Sequence, residues 1–284
     1  LECPFHRWQW CGVASLGSIP YAQSAPRNRS HLRQAHWPVC EYHGFIMLFH
    51  DAARALQDPE PAPYALPPRP GLDDGDMVFR GRHDAGVVRM HLIEFAENSV
   101  DFAHFQPLHG GMYLPWTNVK LPLIEVRHEA TWRPDPDQSH LAYFDNSASL
   151  EIFGRRIPRT SADATISFFG PGGIVEFRFD IPDVGQIVLF HTHQPVAPTA
   201  QRVRFRWYAE PHVPRALVWY VVGNWIAQWS ADIDIWENKI YRTKPKLVRG
   251  DGPIHKLRAW YQQFYPPVEP VAPVQAQAPA SVAP

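Results

Sequence analysis

The sequence predicts an α+β chain: a small β portion, then a larger antiparallel sheet flanked by helices. Three observations carry that prediction. Runs of alternating apolar and polar residues recur from 123 to 207 with turn residues between them, the pattern of half-buried antiparallel strands. Helical patterns flank these runs. A proline-rich stretch separates residues 1–50 from residues 76–265.

In chain order, residues 1–50 read as short strands such as 44–49, bounded by turn residues. Cys11 and Cys40 stand at no ligand spacing and read as small buried residues. Residues 51–75 contain Asp58-Pro59-Glu60-Pro61-Ala62-Pro63 and Pro67-Pro68-Arg69-Pro70, a stiff polar connector. Within 76–265 the strand candidates are 123–132, 141–144, 149–153, 165–169, 173–179, 186–193 and 202–207. Helices are expected around 98–104, from about 214 to 229, and over 254–264. Residues 266–284 are Pro, Ala, Val and Gln with one charge and no period, which predicts a disordered tail.

The 284 residues suffice for a full core in one large or two unequal domains. A net charge of −1 and a pI near 7.0 give no electrostatic footprint for nucleic acid. Aromatic residues make up 13%, with 11 Trp, which suits a large apolar cavity and equally a large core. Three Cys without paired spacing exclude a disulfide scaffold and fit a reducing compartment. The most apolar run, 216–227, is interrupted by Gly223 and Asn224 and falls short of the ~20 residues of a membrane span. No signal peptide is visible, so secretion is not expected.

The chemistry-bearing stretch is Glu97-Asn98-Ser99-Val100-Asp101-Phe102-Ala103-His104-Phe105-Gln106-Pro107-Leu108-His109. Imidazole suits Fe(II), and an anionic third ligand beside His104 and His109 would complete a 2-His-1-carboxylate face with open positions. Asn98, Asp101 and His104 stand at i, i+3 and i+6, on one side of a helix. His109 is off that side, so the run must loosen after His104, and Pro107 and Gly110-Gly111 supply the break. Taken alone, the run fits equally a polar helix end with two solvated histidines.

Two further stretches bear on it. Cys3-Pro4-Phe5-His6 has the C-x-x-H spacing of one loop of a Rieske [2Fe–2S] centre, which needs a C-x-H loop as well; the surrounding aromatic residues would shield a cluster. Asp232-Ile233-Asp234-Ile235-Trp236-Glu237 offers carboxylates far downstream, and Gln228 and Asp232 share a helix face. Asp232, Asp234 and Glu237 are all candidates for the third ligand. His191 and His193 point to one face of a strand. They form a second metal pair or, with no carboxylate near in sequence, a polar or pocket-lining face.

With these three separated elements in this order, the chain resembles the Rieske non-haem iron oxygenases. Leu189-Phe190-His191-Thr192-His193, the run 232–241 with Trp236 and Lys239, Gly250-Asp251-Gly252-Pro253 and the run 258–265 are similar to the sterol and steroid branch. That branch contains the cholesterol 7-desaturases and the 3-ketosteroid 9α-hydroxylase oxygenase components. The resemblance implies a small all-β Rieske domain followed by a helix-grip-like catalytic domain. It implies a mononuclear Fe(II) held by His104, His109 and Asp232, the first Asp of the Asp-x-acid-Ile-Trp pattern. Cys3 and His6 are then cluster ligands. Asp101 is then the bridge that couples a cluster of one subunit to the iron of its neighbour in a homotrimer.

The same resemblance implies NAD(P)H-derived electrons from a separate reductase or ferredoxin, O₂ as oxidant, and a sterol or steroid oxidised by hydroxylation or desaturation. The substrate is expected in an apolar tunnel lined by the sheet and by the helix of Trp225 and Trp229. The C-x-H loop would stand ahead of Leu1, so the sequence is expected to be an N-terminally truncated fragment. Residues 1–50 are then the C-terminal part of the Rieske domain, 51–75 the connector, 76–265 the catalytic domain and 266–284 the tail. The protein is expected in the cytoplasm, or at a membrane through the missing segment. The alternatives are an oxygenase of a non-steroid aromatic or lipid substrate, a non-catalytic lipid-binding module, and an electron carrier. The histidines and Asp argue against the module, and about 190 residues after the connector argue against the carrier.

Overall fold

A computed structural model of the chain describes residues 1–12, 14–23, 32–34, 36–50, 63–158 and 160–265. Residues 51–62 of the expected connector and the expected tail, 266–284, lie outside the described residues. The described residues form two compact units, Leu1–Ala65 and Leu66–Tyr265.

The first unit contains two antiparallel hairpins, β1 (Gln9–Trp10) with β2 (Leu16–Ser18) and β3 (Val39–Tyr42) with β4 (Phe45–Leu48). His43 and Gly44 join β3 to β4 with φ of 46° and 76°, the left-handed pair that a two-residue hairpin turn requires. Cys11 and Cys40 are exposed, contrary to the burial expected of them. A two-stranded hairpin has no second layer against which to bury both faces.

The second unit is built on a nine-stranded sheet. Its strands are β5 (Val78–Val88), β6 (Gly111–Tyr113), β7 (Lys120–Pro134), β8 (Leu141–Ile152), β9 (Arg155–Arg156), β10 (Ala162–Phe169), β11 (Ile174–Ile181), β12 (Gly185–Ala197) and β13 (Ala200–Ala209). The order is β5-β13-β12-β11-β10-β8-β7-β6, with β9 on β8, and every pairing is antiparallel. The helices are α1 (Leu92–Asn98), α2 (Arg215–Ala231), α3 (Ile233–Asn238) and α4 (Ile254–Tyr261). Val218, Val222, Ile226 and Trp229 form one face of α2 and pack on Phe177, Leu189 and Phe205 of the sheet. This is the expected antiparallel sheet with flanking helices. Among the described residues no helix is long and apolar enough to cross a membrane.

Two differences from the sequence reading matter for the site. The strands expected at 141–144 and 149–153 are one strand, β8. Its polar middle stays extended because ladders hold it on both edges, Asn146 pairing with Ala130 of β7 and Ala164 of β10. Residues 66–75, expected in the connector, belong to the second unit. There the Arg69 guanidinium forms an ion pair with Glu176, which is buried among β-strand residues.

A buried ionic cluster ties α1 to the chain after α3 and to α4. Lys239 Nζ lies 2.5 Å from Glu94 Oε2. Arg258 donates to both Glu97 oxygens, Nη2 to Oε2 at 3.0 Å. Lys239, Trp236 and Arg258 all come from the runs similar to the steroid branch, and here they hold helices together.

Candidate metal centre

The site is made where α1 ends. Ser99 Oγ donates to the Ala96 carbonyl at 2.6 Å, and Val100 turns into the core with 0% exposure. Gly252, at φ +89°, packs so closely on the Val100 carbonyl that a Cβ would collide with it. Asp101 therefore leaves the helix at φ −85°, ψ 80°. The expectation that Asn98, Asp101 and His104 share one helix face is corrected: only Asn98 is in α1.

A 3₁₀ turn, Phe102–His104, runs into a π-helical turn, Phe105–His109. This is the loosening expected after His104. In an α-helix residues five apart diverge by about 140°, whereas i→i+5 winding returns them to one side. The His104 and His109 rings accordingly stand 5.0 Å apart at 81°. Gly110 closes the turn against the Gln106 carbonyl, where a Cβ has no room.

Asp232 arrives from the junction of α2 and α3, with 4% exposure. The possible ligand atoms of His104, His109 and Asp232 all lie within 4.8 Å of one another, the one such group of His, Cys, Asp or Glu among the described residues. His109 Nε2 is 3.2 Å from Asp232 Oδ2. The other two candidate carboxylates point elsewhere. Asp234 is exposed, and Glu237 accepts from Arg89, 2.9 Å from its backbone nitrogen and 3.2 Å from its guanidinium.

Neighbouring groups orient the three. Asn98 Nδ2 donates to Asp232 Oδ2 at 3.0 Å. The Asp101 backbone carbonyl accepts from His104 Nδ1, which leaves Nε2 as the ligand atom. Burial, with the nearby His109 imidazole, holds His104 below its ordinary pKa, so its ring is neutral at pH 7. His104 Nε2 and Asp232 Oδ1 are buried without a hydrogen-bond partner. Such atoms are costly unless something else satisfies them. Two imidazoles and a carboxylate are the donor set of an Fe(II) site, and the residues present fit that ion.

Asp101 meets His104 through its backbone, not its carboxylate. That carboxylate is half-buried and accepts no hydrogen bond among the described residues. Among the described residues His191 and His193 belong to no cluster of metal-ligating side chains, and neither lines the pocket beside the triad or the larger cavity next to it. Phe95 of α1 covers both, with ring distances of 4.7 and 4.6 Å. His193 Nδ1 donates to the Gly172 carbonyl at 2.9 Å, while neither His191 nitrogen has a partner. Burial lowers both pKa values, that of His193 to about 4.

In the first unit Cys3, His6, Trp8 and Trp10 line one hollow. The Cys3 carbonyl accepts from Arg7 N at 2.8 Å, bending the loop, and Phe5 is exposed with its ring 3.9 Å from His6.

A pocket of about 70 Å³ adjoins the triad. A cavity of about 280 Å³ lies between α2 and the strands β7, β8, β10 and β11. His128, Phe144, Asn146, Phe177, Trp225 and Gln228 line both, so the two spaces share a wall. Sequence reasoning assigned no role to Asn98, His128 or Asn146. His128 carried a signal: it is the one polar residue in the inward row Ile124, Val126, His128, Ala130, Trp132.

The 3-Ketosteroid 9alpha-hydroxylase C-terminal domain family model matches residues 49–265. The cholesterol 7-desaturase nvd of Xenopus laevis is 29% identical over 273 residues, covering 93% of this chain and 58% of that protein. The probable 3-ketosteroid-9-alpha-monooxygenase, oxygenase component, of Rhodococcus rhodochrous is 29% identical over 290 residues, covering 96% of this chain and 66% of that protein. The chain thus spans less than two thirds of either relative. Among solved structures, Pseudomonas putida CBB5 NdmA QL mutant with caffeine superposes with a TM-score of 0.61 at 16% identity, over 92% of this chain and 70% of that one. At that identity the likeness is one of fold.

Proposed function

Because the chain belongs to the family of the 3-ketosteroid 9α-hydroxylase C-terminal domain, the catalytic domain of Rieske oxygenases, we propose that it forms the oxidising site of a sterol or steroid oxygenase component. The observation that carries the reading is the pairing of the His104, His109 and Asp232 triad with an apolar cavity that adjoins it. Fe(II) bound by the triad supplies O₂ activation for C–H oxidation, hydroxylation or desaturation.

The protein's own part is positioning and exclusion. Asn98 holds the Asp232 carboxylate, and the Asp101 carbonyl sets the His104 tautomer. Phe144, Phe177 and Trp225 keep water from the substrate, and burial of a rigid apolar ring system supplies most of its binding energy, at ~25 cal/mol per Å² before association costs. Cys3 and His6 contribute half the ligands of a [2Fe–2S] cluster, fed from NAD(P)H by a separate reductase or ferredoxin. In a homotrimer the free Asp101 carboxylate faces a cluster histidine of the neighbouring subunit.

The test is turnover by a reconstituted holoenzyme carrying this chain, offered cholesterol, a 3-ketosteroid and a small aromatic acid. Oxidation of a steroid is expected, and its product separates desaturase from hydroxylase. Oxidation of the aromatic acid alone would overturn the steroid reading.

A further inference from the structure

The inward faces of β7 and β8 roof the cavity. Their inward rows read Ile124, Val126, His128, Ala130, Trp132 and Ala142, Phe144, Asn146, Ala148, Leu150. Each row holds a single polar residue; Ser149 of β8 also lines the larger cavity but not the pocket beside the triad. The register places His128 opposite Ala148 and Asn146 opposite Ala130, so the two polar residues are diagonal neighbours across the ladder. His128 Nδ1 lies 3.3 Å from Asn146 Oδ1. The next strand offers only Ala162, Ala164, Ile166 and Phe168 at the paired positions.

Both residues line the pocket beside the triad as well as the larger cavity. His128 also borders the ligand loop, with its ring 5.6 Å from Phe105. The third polar residue shared by the two spaces, Gln228, is engaged: its amide nitrogen donates to Asn224 Oδ1 at 2.8 Å, and Asn224 in turn donates to the Tyr113 carbonyl at 2.7 Å. The His128–Asn146 pair is engaged only in part, by the contact within the pair and by the His109 backbone beside the His128 ring. His128 Nε2 is buried without a partner, and the Asn146 side chain makes no other hydrogen bond among the described residues. A polar group left short of partners in an apolar wall is costly unless a ligand completes it.

We propose that the His128–Asn146 pair binds the single hydroxyl or keto oxygen of an otherwise apolar fused-ring substrate. This rests on the steroid reading above and adds an orientation to it. The oxygenated carbon sits at the wall between the two spaces, beside the metal ligands. The apolar remainder extends under β8, β10 and β11, toward Leu150, Ala162 and Ile181. The carbon oxidised is then a ring carbon a few bonds from the oxygenated one, not an alkyl tail. A site built to satisfy an oxygen rejects the analogue that lacks it, because its own polar groups stay unpaired.

The experiment measures equilibrium binding by calorimetry, with no turnover, for cholesterol, its 3-keto analogue and the 3-deoxy hydrocarbon. The proteins are the holoenzyme, Asn146→Leu and His128→Gln. The wild-type protein is expected to bind an oxygenated sterol about 3- to 10-fold more tightly than the 3-deoxy compound, as one hydrogen bond provides. Preference for hydroxyl or for keto identifies which oxygen is read. Asn146→Leu, which keeps the volume, is expected to erase the discrimination by weakening the oxygenated sterols and binding the 3-deoxy compound at least as tightly as wild type does. His128→Gln, which keeps a polar group, is expected to retain part of it. Sterol binding by wild type with the same discrimination in Asn146→Leu, or with equal weakening of all three compounds, overturns the role of the pair and leaves the steroid reading standing. Failure of wild type to bind any of the three overturns both.

Discussion

Replacing Asn98 by Ala is expected to weaken Fe(II) binding without unfolding the domain. Asn98 Nδ2 is the donor that holds Asp232 Oδ2, at 3.0 Å, and Asp232 is only 4% exposed, so water does not readily take its place. A hydrogen bond to an ionised acceptor contributes about 1.5–3 kcal/mol. At about 1.4 kcal/mol per tenfold, that corresponds to an affinity loss of roughly 10- to 150-fold. The range agrees with the about 10- to 100-fold typical when a partner of a metal ligand is removed. Asp232 still faces His109 Nε2 at 3.2 Å, so the carboxylate is not left alone and the ion site survives in weakened form. The assay is anaerobic Fe(II) titration of metal-free wild type, Asn98→Ala and Asn98→Leu against a competing chelator, with circular dichroism to establish the fold. Affinities within threefold of wild type in both variants would refute the claim that Asn98 orients the carboxylate.

Asp101→Asn is expected to retain iron and lose turnover in the holoenzyme. The contact to His104 uses the backbone carbonyl, which the substitution leaves in place; loss of iron would make Asp101 a structural residue. Arg258→Met leaves the buried Glu97 with Lys239 at 3.7 Å as its remaining cation. Breaking such a pair is expected to lower stability by about 3 kcal/mol, read by urea unfolding, and a loss below about 1 kcal/mol would contradict a clamp. His193 gives a pH dependence. Its pKa is about 4 in the folded protein and 6.5 ordinarily, so as pH falls the unfolded chain takes the proton first. Stability is full above the ordinary pKa and falls through the window down to about 4, by about 3 kcal/mol at roughly 1.4 kcal/mol per pH unit; His191 acts in the same direction. Equal urea midpoints at pH 7.5 and 4.5 would contradict this.

Much of the site was legible in the chain itself. His104 and His109 become candidate metal ligands once the C-x-x-H loop and the downstream carboxylates are set beside them, and Pro107 with Gly110 announces that the helix cannot continue through them. The strands with clean alternation, such as β7 and β13, could be read because a sheet with one buried face imposes a period of two. What the sequence could not convey was every relation that depends on elements far apart. Asp232, Asp234 and Glu237 were equivalent as carboxylates, and only the junction of α2 and α3 turns Asp232 alone toward the histidines. The face shared by Asn98, Asp101 and His104 dissolved because Val100 is drawn into the core and Gly252, from 152 positions away, packs on its carbonyl. Asn146 fell in a gap between two expected strands, since its polar neighbours read as a turn. The ladders of β7 and β10 keep that segment extended and bring Asn146 beside His128. Residue chemistry and short-range period are local and survive in one dimension. Which carboxylate, which amide and which face meet the two histidines is set by packing between strands and helices, and exists only in the folded chain.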